Sequence, residues 1–256
     1  KSMEGIQDFI SLETLNVSDN DLESLDVTKN EKLKSLFCSS NLLSSIDLSQ
    51  NTDLENLKIA QNPPLAVLNV SENVKLKYLE FGFGTPQQSS IDLSNNTELV
   101  RLKCEQSIFL KSLTLNNHYK LEEVRITHTK LNHLLLSNCG SLKNLVVVFT
   151  EVSSLDLMGC PNIESLSISG NNLDKIDLSG NTKLKSLRLS RNNITELNIS
   201  NNVNLEEVIC YNNKLKSLDT SNNLSLTYLN CRNNQLKSLD VSNNINLDGL
   251  SCKDNL

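Results

Sequence analysis

The residues of this chain that could do chemistry are seven cysteines, three histidines and a spaced row of aspartates. Seven thiols could bind metal, pair as disulfides or act as nucleophiles, but the number is odd and no CxxC pair occurs. Asp26, Asp47, Asp92, Asp156, Asp177, Asp219 and Asp240 recur at 21 residues or near-multiples of it. A carboxylate row of that kind could hold calcium, yet the Gly-rich, multi-carboxylate loops of calcium turns are missing. No Gly-rich phosphate loop and no GxSxG elbow is present. The reading is therefore non-catalytic, with no cofactor and no metal. What these residues share is an interval, and the interval belongs to the scaffold.

LEEVICYNNKLKSLDTSNNLS, residues 205–225, is followed at once by LTYLNCRNNQLKSLDVSNNIN, residues 226–246. Aligned on the first apolar residue of LxxLxLxxN, repeats begin at Leu12, Leu33, Leu54, Leu76, Leu99, Leu121, Leu142, Ile163, Leu184, Leu205, Leu226 and Leu247. The intervals are 21, 21, 22, 23, 22 and then 21 six times. That gives about eleven full repeats from Leu12 with partial turns at both ends. No linker or composition shift divides them, so residues 1–256 are expected to form a single domain.

In LxLxx the apolar residues alternate, which makes a short strand with one apolar face. A lone repeat cannot bury that face, so copies stack and share one core. Each repeat carries the signal twice, which predicts a strand on each side of a flattened coil roughly 55 Å long. An Asn closes each half. The first ladder reads Asn20, Asn41 and Asn62, breaks, and resumes from Asn171 to Asn255; the second reads Asn30, Asn51, Asn73 and Asn96 and resumes at Asn181. Their amides can pair with backbone groups that a corner leaves without partners.

On this coil the chemistry-bearing residues disperse. His128 and His133 fall on different sides and cannot share a ligand sphere. The aspartates face outward on the second side, where neighbouring serines can supply hydroxyl donors. Five cysteines take inward positions, and Cys139 and Cys160 replace ladder Asn residues. Parallel Cβ vectors on in-register strands suit a bridge poorly, so free, buried thiols are expected.

The pattern LxxLxLxxN/CxL resembles the leucine-rich repeat over practically the whole chain. The half-length echo is similar to the nested subtype of bacterial surface proteins. Cys38, Cys104, Cys210, Cys231 and Cys252 at the third apolar position resemble the cysteine-ladder members of the internalin group. The resemblance implies a leucine-rich repeat solenoid, a horseshoe or right-handed superhelix of the L-domain type. It is mostly β, with parallel strands on the concave side, short extended segments on the convex side and little helix. It also implies a recognition role, with the ligand on the concave strand face, and an extracellular or cell-surface address in a bacterium.

Both ladders lose Asn over the same middle turns, to Ser107, Thr129 and Thr150 in the first and to His118, Cys139 and Cys160 in the second. All the length changes fall there too, at Asn62-Pro63-Pro64, between Gly82 and Ser90, and around Phe109. Drift in a tolerant array is one reading; the other places a binding site in these turns. Outward positions of the first strand offer Tyr78, Glu80, Phe83, Arg101, Lys103, Arg125, His128, Val146, Val148 and Phe149. A second group, Arg188, Ile209, Tyr211 and Tyr228, lies further on. One-sided burial has no need of Val146 or Val148, and aromatic and Arg side chains are enriched in interface hot spots. An apolar floor with a cationic edge is the expected site.

Composition bounds the partner. The net charge is −6 and no Lys/Arg run occurs, so nucleic acid is not expected. No apolar run approaches the ~18–20 residues of a membrane span, and KSMEGIQDF carries no signal-peptide core. The chain's mid-turn stop at Leu256 creates the expectation of a longer parent protein. A monomer that binds another protein, host or bacterial, or a surface glycan is the reading; a structural spacer presenting other domains is the alternative. If the inward assignment is right, Leu218→Asp puts an unpaired charge into a core that several turns share. Denaturant unfolding should then lose several kcal/mol, with adjacent turns melting together; an unchanged midpoint would reverse the assignment.

Overall fold

The computed structural model describes residues 1–82, 84 and 88–256. Among them, fourteen strands form: β1 (Thr14–Asn16), β2 (Ser35–Phe37), β3 (Asn56–Lys58), β4 (Tyr78–Phe81), β5 (Arg101–Glu105), β6 (Ser112–Asn116), β7 (Glu123–Thr127), β8 (His133–Ser137), β9 (Asn144–Val148), β10 (Ser165–Ser167), β11 (Ser186–Arg188), β12 (Glu207–Ile209), β13 (Tyr228–Asn230) and β14 (Gly249–Ser251). Twelve of them make one parallel sheet, skipping β6 and β8, which pair with each other on the opposite side. The one helical element among the described residues is a 3-10 turn, Ile6–Asp8. This is a parallel-strand solenoid of about eleven turns.

Register follows the repeat. Leu15 pairs with Leu36, Leu36 with Leu57, Leu57 with Leu79, and Leu79 with Leu102. The 22- and 23-residue intervals therefore leave the strand columns straight, and the extra residues are taken up outside the strands. The core is a continuous file of buried apolar side chains from Ile6 to Leu236. Of the incoming Met3, Ile6 and Phe9, only Ile6 is buried. On the rim, Glu13, Lys34, Glu55 and Lys77, and, beyond Val100, Glu122, Lys143, Glu164 and Lys185, form two runs of alternating charge in one column. Its ion pairs include Lys34–Glu13 at 2.9 Å and Lys185–Glu164 at 2.9 Å. Exposed pairs of this kind stabilise little each, but a one-turn slip would set like charges side by side.

The corners close as the ladders predict. Asn62 Nδ2 donates to Cys38 O (3.1 Å) and Ile59 O (3.0 Å), and its Oδ1 accepts from Leu43 N–H (3.1 Å). In the second ladder, Asn51 Nδ2 donates to Val27 O (3.0 Å) and Asn30 O (2.9 Å). The middle turns do not abandon this scheme; other donors take it over. Cys139 Sγ donates to Leu115 O at 3.0 Å, the carbonyl 24 residues back that an Asn would use. The buried ring of His118 sets Nε2 3.2 Å from Leu93 O and Nδ1 3.0 Å from Asn116 O. A neutral imidazole donates to only one of these, and burial holds the His118 pKa below its usual value. Thr150 passes its hydroxyl to Asn171, where the first ladder restarts. At His118 and Cys139 the expected decay of the second ladder is thus a substitution of donors.

A strand on each side was expected in every turn, yet among the described residues the second side forms strands only at β6 and β8. The aspartate row gives the reason. In nine turns an Asp or Asn carboxyl or amide oxygen accepts the backbone N–H two residues on, at 2.9–3.0 Å. Such Asx turns compete with ladder pairing for the same N–H. At β6 and β8 the position holds Thr114 and Leu135, nothing competes, and the strands form. The aspartates are therefore strand breakers on the convex side, and their main partners are backbone N–H groups as well as the serine hydroxyls foreseen.

All seven cysteines are free thiols. Six are buried, whereas Cys252 in the last turn is exposed, contrary to the expectation for all seven. Burial pushes the Cys38 thiol up to about 12. Thiol titration should find one fast-reacting cysteine in the native protein and seven after denaturation; two or more missing from the denatured count would mean a disulfide.

The Asx turns carry a pH prediction. Backbone N–H donation holds Asp26, Asp47, Asp92, Asp219 and Asp240 below the usual carboxylate range, and the Ser179 hydroxyl does so first for Asp177. A depressed folded-state pKa stabilises above the unfolded value and is lost as pH falls through the folded one. The urea midpoint should therefore hold near neutrality and fall progressively below about pH 4. Asp219→Asn, which copies native Asn69 and Asn198, should keep neutral stability and remove that site's share of the acid loss. An acid profile unchanged by Asp219→Asn would deny the carboxylate this part.

Candidate ligand-binding site

The outward positions of the parallel sheet fall into columns that run across the turns. One column reads Lys103, Arg125, Val146, Ser167, Arg188 and Ile209, each paired to the next. A parallel column reads Arg101, Glu123, Asn144, Ser165, Ser186, Glu207 and Tyr228. Corner geometry supplies a third set. The residue before each first-ladder position is left-handed in turn after turn, with φ of 57° at Gln61, 55° at His128, 53° at Phe149 and 68° at Gly170. Asn and Asp tolerate this conformation; for a bulky aromatic such as Phe149 it is strained, at a cost of order 1–3 kcal/mol.

These columns enclose a hollow of about 510 Å³ over β7, β9, β10 and β11. Half-buried Val146 and Val148 and exposed Phe149 form one wall, with Phe149 at 44% exposure. The His128 ring tilts over Phe149 at 5.0 Å between centroids. On its other side a Cβ on Gly170 would lie 2.5 Å from Phe149 Cδ1, so any larger residue there would displace the ring. Ser165, Ser167 and Ser186 make the floor. Arg125 and Arg188 stand at the two ends, three strands apart, which is ~14 Å at 4.8 Å per strand.

The expected cationic edge is corrected by the structure: both arginines are already paired. Arg125 Nε donates to Glu105 at 3.0 Å, and Arg188 donates through Nε and Nη2 to Glu207 at 3.0 Å each. Ser186 Oγ donates to Glu207 as well, at 2.7 Å. Glu105, Glu123 and Glu207 escaped the sequence reading because each is an ordinary repeat residue when read alone; only strand register sets them beside an arginine. The serines were missed for the same reason, since a floor is defined by what its neighbours overtop.

A second group lies upstream. The Tyr78 hydroxyl donates to Glu80 (2.7 Å), and Lys103 pairs with Glu80 (3.0 Å) and Glu105 (3.3 Å). Burial pushes the Glu80 carboxyl up, but Tyr78 and Lys103 outweigh it and leave Glu80 below its usual value. Burial and then Glu80 push the Tyr78 phenol up. Arg101 pairs with Glu123 at 3.7 Å, and Tyr78, Arg101, Lys103 and Arg125 border a smaller depression of about 160 Å³. Arg125 links the two depressions. Phe83 lies outside the described residues. Tyr211 and Tyr228 stand beyond the hollow; Arg232 covers the Tyr211 ring at 4.8 Å. His133 opens β8 on the convex side, away from His128. Among the described residues no His, Cys, Asp and Glu side chains gather in threes that could hold a metal ion.

No protein-family model and no curated protein matches the chain. Solved structures do. The functional domain of InlJ from Listeria monocytogenes, which includes a cysteine ladder, is 27% identical with a TM-score of 0.81. The match covers 99% of this chain and 60% of that one, so the chain spans three fifths of that protein's length. A leucine-rich repeat protein of Leptospira interrogans superposes at TM-score 0.83 with 21% identity, covering 100% of this chain and 71% of that one. YopM from Yersinia enterocolitica gives 0.76 and 21%, covering 94% and 51%. The chain is a leucine-rich repeat solenoid with 21-residue turns, similar to internalin-type bacterial repeat proteins.

Proposed function

We propose that this protein is a non-catalytic recognition module of a bacterial cell-surface or secreted protein, and that a protein or glycan ligand rests on the concave strand face. One observation carries the proposal: a strained, outward-facing Phe149 with Val146 and Val148 beside a hollow of about 510 Å³. Folding alone gives no return for an aromatic side chain in a left-handed corner, and ligand pockets commonly measure ~300–1,000 Å³. Likeness to leucine-rich repeat proteins supports an interaction module in general. No described helix is long and apolar enough to cross a membrane. A single domain is supported by the core file, which runs without a break from Ile6 to Leu236, and the module is read as a monomer. A spacer role would leave the face free to vary and would not explain Phe149.

The test is a binding screen with the purified chain against immobilised extracellular proteins and glycans. Arg125→Ala with Phe149→Ser should weaken any specific hit tenfold or more, about 1.4 kcal/mol. Asp177→Asn with Asp219→Asn on the convex side should leave it intact. The reverse pattern would move the site to the convex face, and no specific hit at all would favour the spacer.

A further inference from the structure

We infer that the hollow between Arg125 and Arg188 takes a neutral oligosaccharide; the inference rests on the recognition reading above and narrows it to one ligand class. The first argument is charge. Each guanidinium at the ends of the hollow is already matched by a carboxylate, Arg125 by Glu105 and Arg188 by Glu207 in a two-point pair. An anionic ligand reaching either arginine would bring its charge against that glutamate, and like charges at such range repel. A neutral hydroxylated ligand meets no such conflict. It accepts from the guanidinium N–H groups that the pairs leave over.

The second argument is the order of polar and apolar surface. Protein interfaces place an apolar centre inside a polar rim. Here the arrangement is different: the two kinds of surface lie side by side, with the hydroxyls of Ser165, Ser167 and Ser186 on β10 and β11 and apolar Val146, Val148 and Phe149 along β9 and the corner after it. A pyranose ring has the matching form, with hydroxyls around its edge and an apolar C–H face. Such a face lies against an aromatic ring while the edge hydroxyls pair with Ser165 and Ser167, which can donate and accept, and with Ser186, which accepts because its proton is given to Glu207.

The third argument is rigidity and reach. The Phe149 ring is held between His128, at 5.0 Å, and the backbone of Gly170, so its exposed surface has a fixed position before any ligand arrives. Preorganisation of this kind lowers the ordering cost of binding. The ~14 Å between the arginines follows the stack of strands, so the ligand lies across the strands as a short linear chain.

The experiment uses the whole 256-residue chain and a printed array of neutral oligosaccharides, acidic oligosaccharides and peptides, with hits titrated calorimetrically. At least one neutral oligosaccharide should bind, with affinity that changes little between low and high salt. Saturation-transfer NMR should show contact through ring C–H protons. Phe149→Asn, which suits the left-handed corner, and Ser167→Leu, which fills the floor, should each lower affinity tenfold or more while thermal melting shows both folded. Asp177→Asn should have no effect. Neutral-sugar binding that survives both variants would overturn the assignment, as would hits confined to acidic glycans. Peptide hits that depend on Phe149, with no sugar hits, would sink the sugar assignment and leave the recognition reading standing. An array with no hits would sink the sugar assignment, and the recognition reading would fall with it if the screen of extracellular proteins were also empty.

Discussion

Every turn of this solenoid must bend its backbone twice without stranding polar groups in a dry core, and that constraint orders the rest of the molecule. A buried carbonyl without a donor costs about as much as a lost hydrogen bond. Asn answers it because one short side chain carries two donors and an acceptor, enough to reach its own corner and the corner 24 residues back, as Asn62 does. The common interval of 21 fits this reach, and the longer turns keep it by taking up their extra residues elsewhere, so that Asn73 and Asn96 still meet Leu48 O and Val70 O. Where Asn is absent, the constraint persists and the donor changes. Cys139 offers a thiol to the same carbonyl and His118 a ring nitrogen to its equivalent, both without giving up burial.

The same competition for backbone groups separates the two sides of the coil. On the strand side such capture is confined, among the described residues, to Asn16 and Asn230 at the ends of β1 and β13, and twelve strands pair in one sheet. On the other side an Asp or Asn captures the N–H two residues on, nine times over, and the chain stays extended without pairing. A flat two-sided stack would have sheets of equal width. Shortened pairing on one side lets that side differ in spacing from the other, the geometry from which a curved solenoid follows. The acidic row is thus a structural device, and its charge is the outward trace of a local hydrogen bond.

How much of this could be read from the residues depends on whether the information lay within one repeat or between repeats. The inward Leu columns, the ladder Asn positions and the parallel register are all periodic and were legible, down to the 22- and 23-residue intervals. The burial of Cys38, Cys104, Cys210 and Cys231 was legible for the same reason. Three things were not. The Asx turns needed knowledge that Asp would prefer an N–H two residues on over a ladder. The pairing of Arg125 with Glu105 and of Arg188 with Glu207 needed the register of neighbouring strands at side-chain level. The floor of Ser165, Ser167 and Ser186 needed relative heights, because a serine marks a hollow only when Arg125, Phe149 and Arg188 rise around it. Exposure of Phe149 and Val148 was legible from the doubly apolar LVVVFT segment.

The location of the hollow follows from the same logic. Length changes cluster upstream of β9, yet the register across β3, β4, β5 and β7 is kept, so the insertions are absorbed outside the strands. Strand columns therefore stay straight beneath any change of surface, and the width of a site is set by how many consecutive turns carry small side chains. Two such turns, at β10 and β11, follow the apolar wall of β9 and end at Arg188. A repeat array of this kind builds a binding site by choosing column residues while the backbone stays the same. Phe149 is the exception that marks the site: it occupies a corner whose left-handed backbone suits Asn, and Gly170 in the next turn makes room for its ring. Gly170 suits its own left-handed corner, with φ of 68°, and also leaves the space that the Phe149 ring fills.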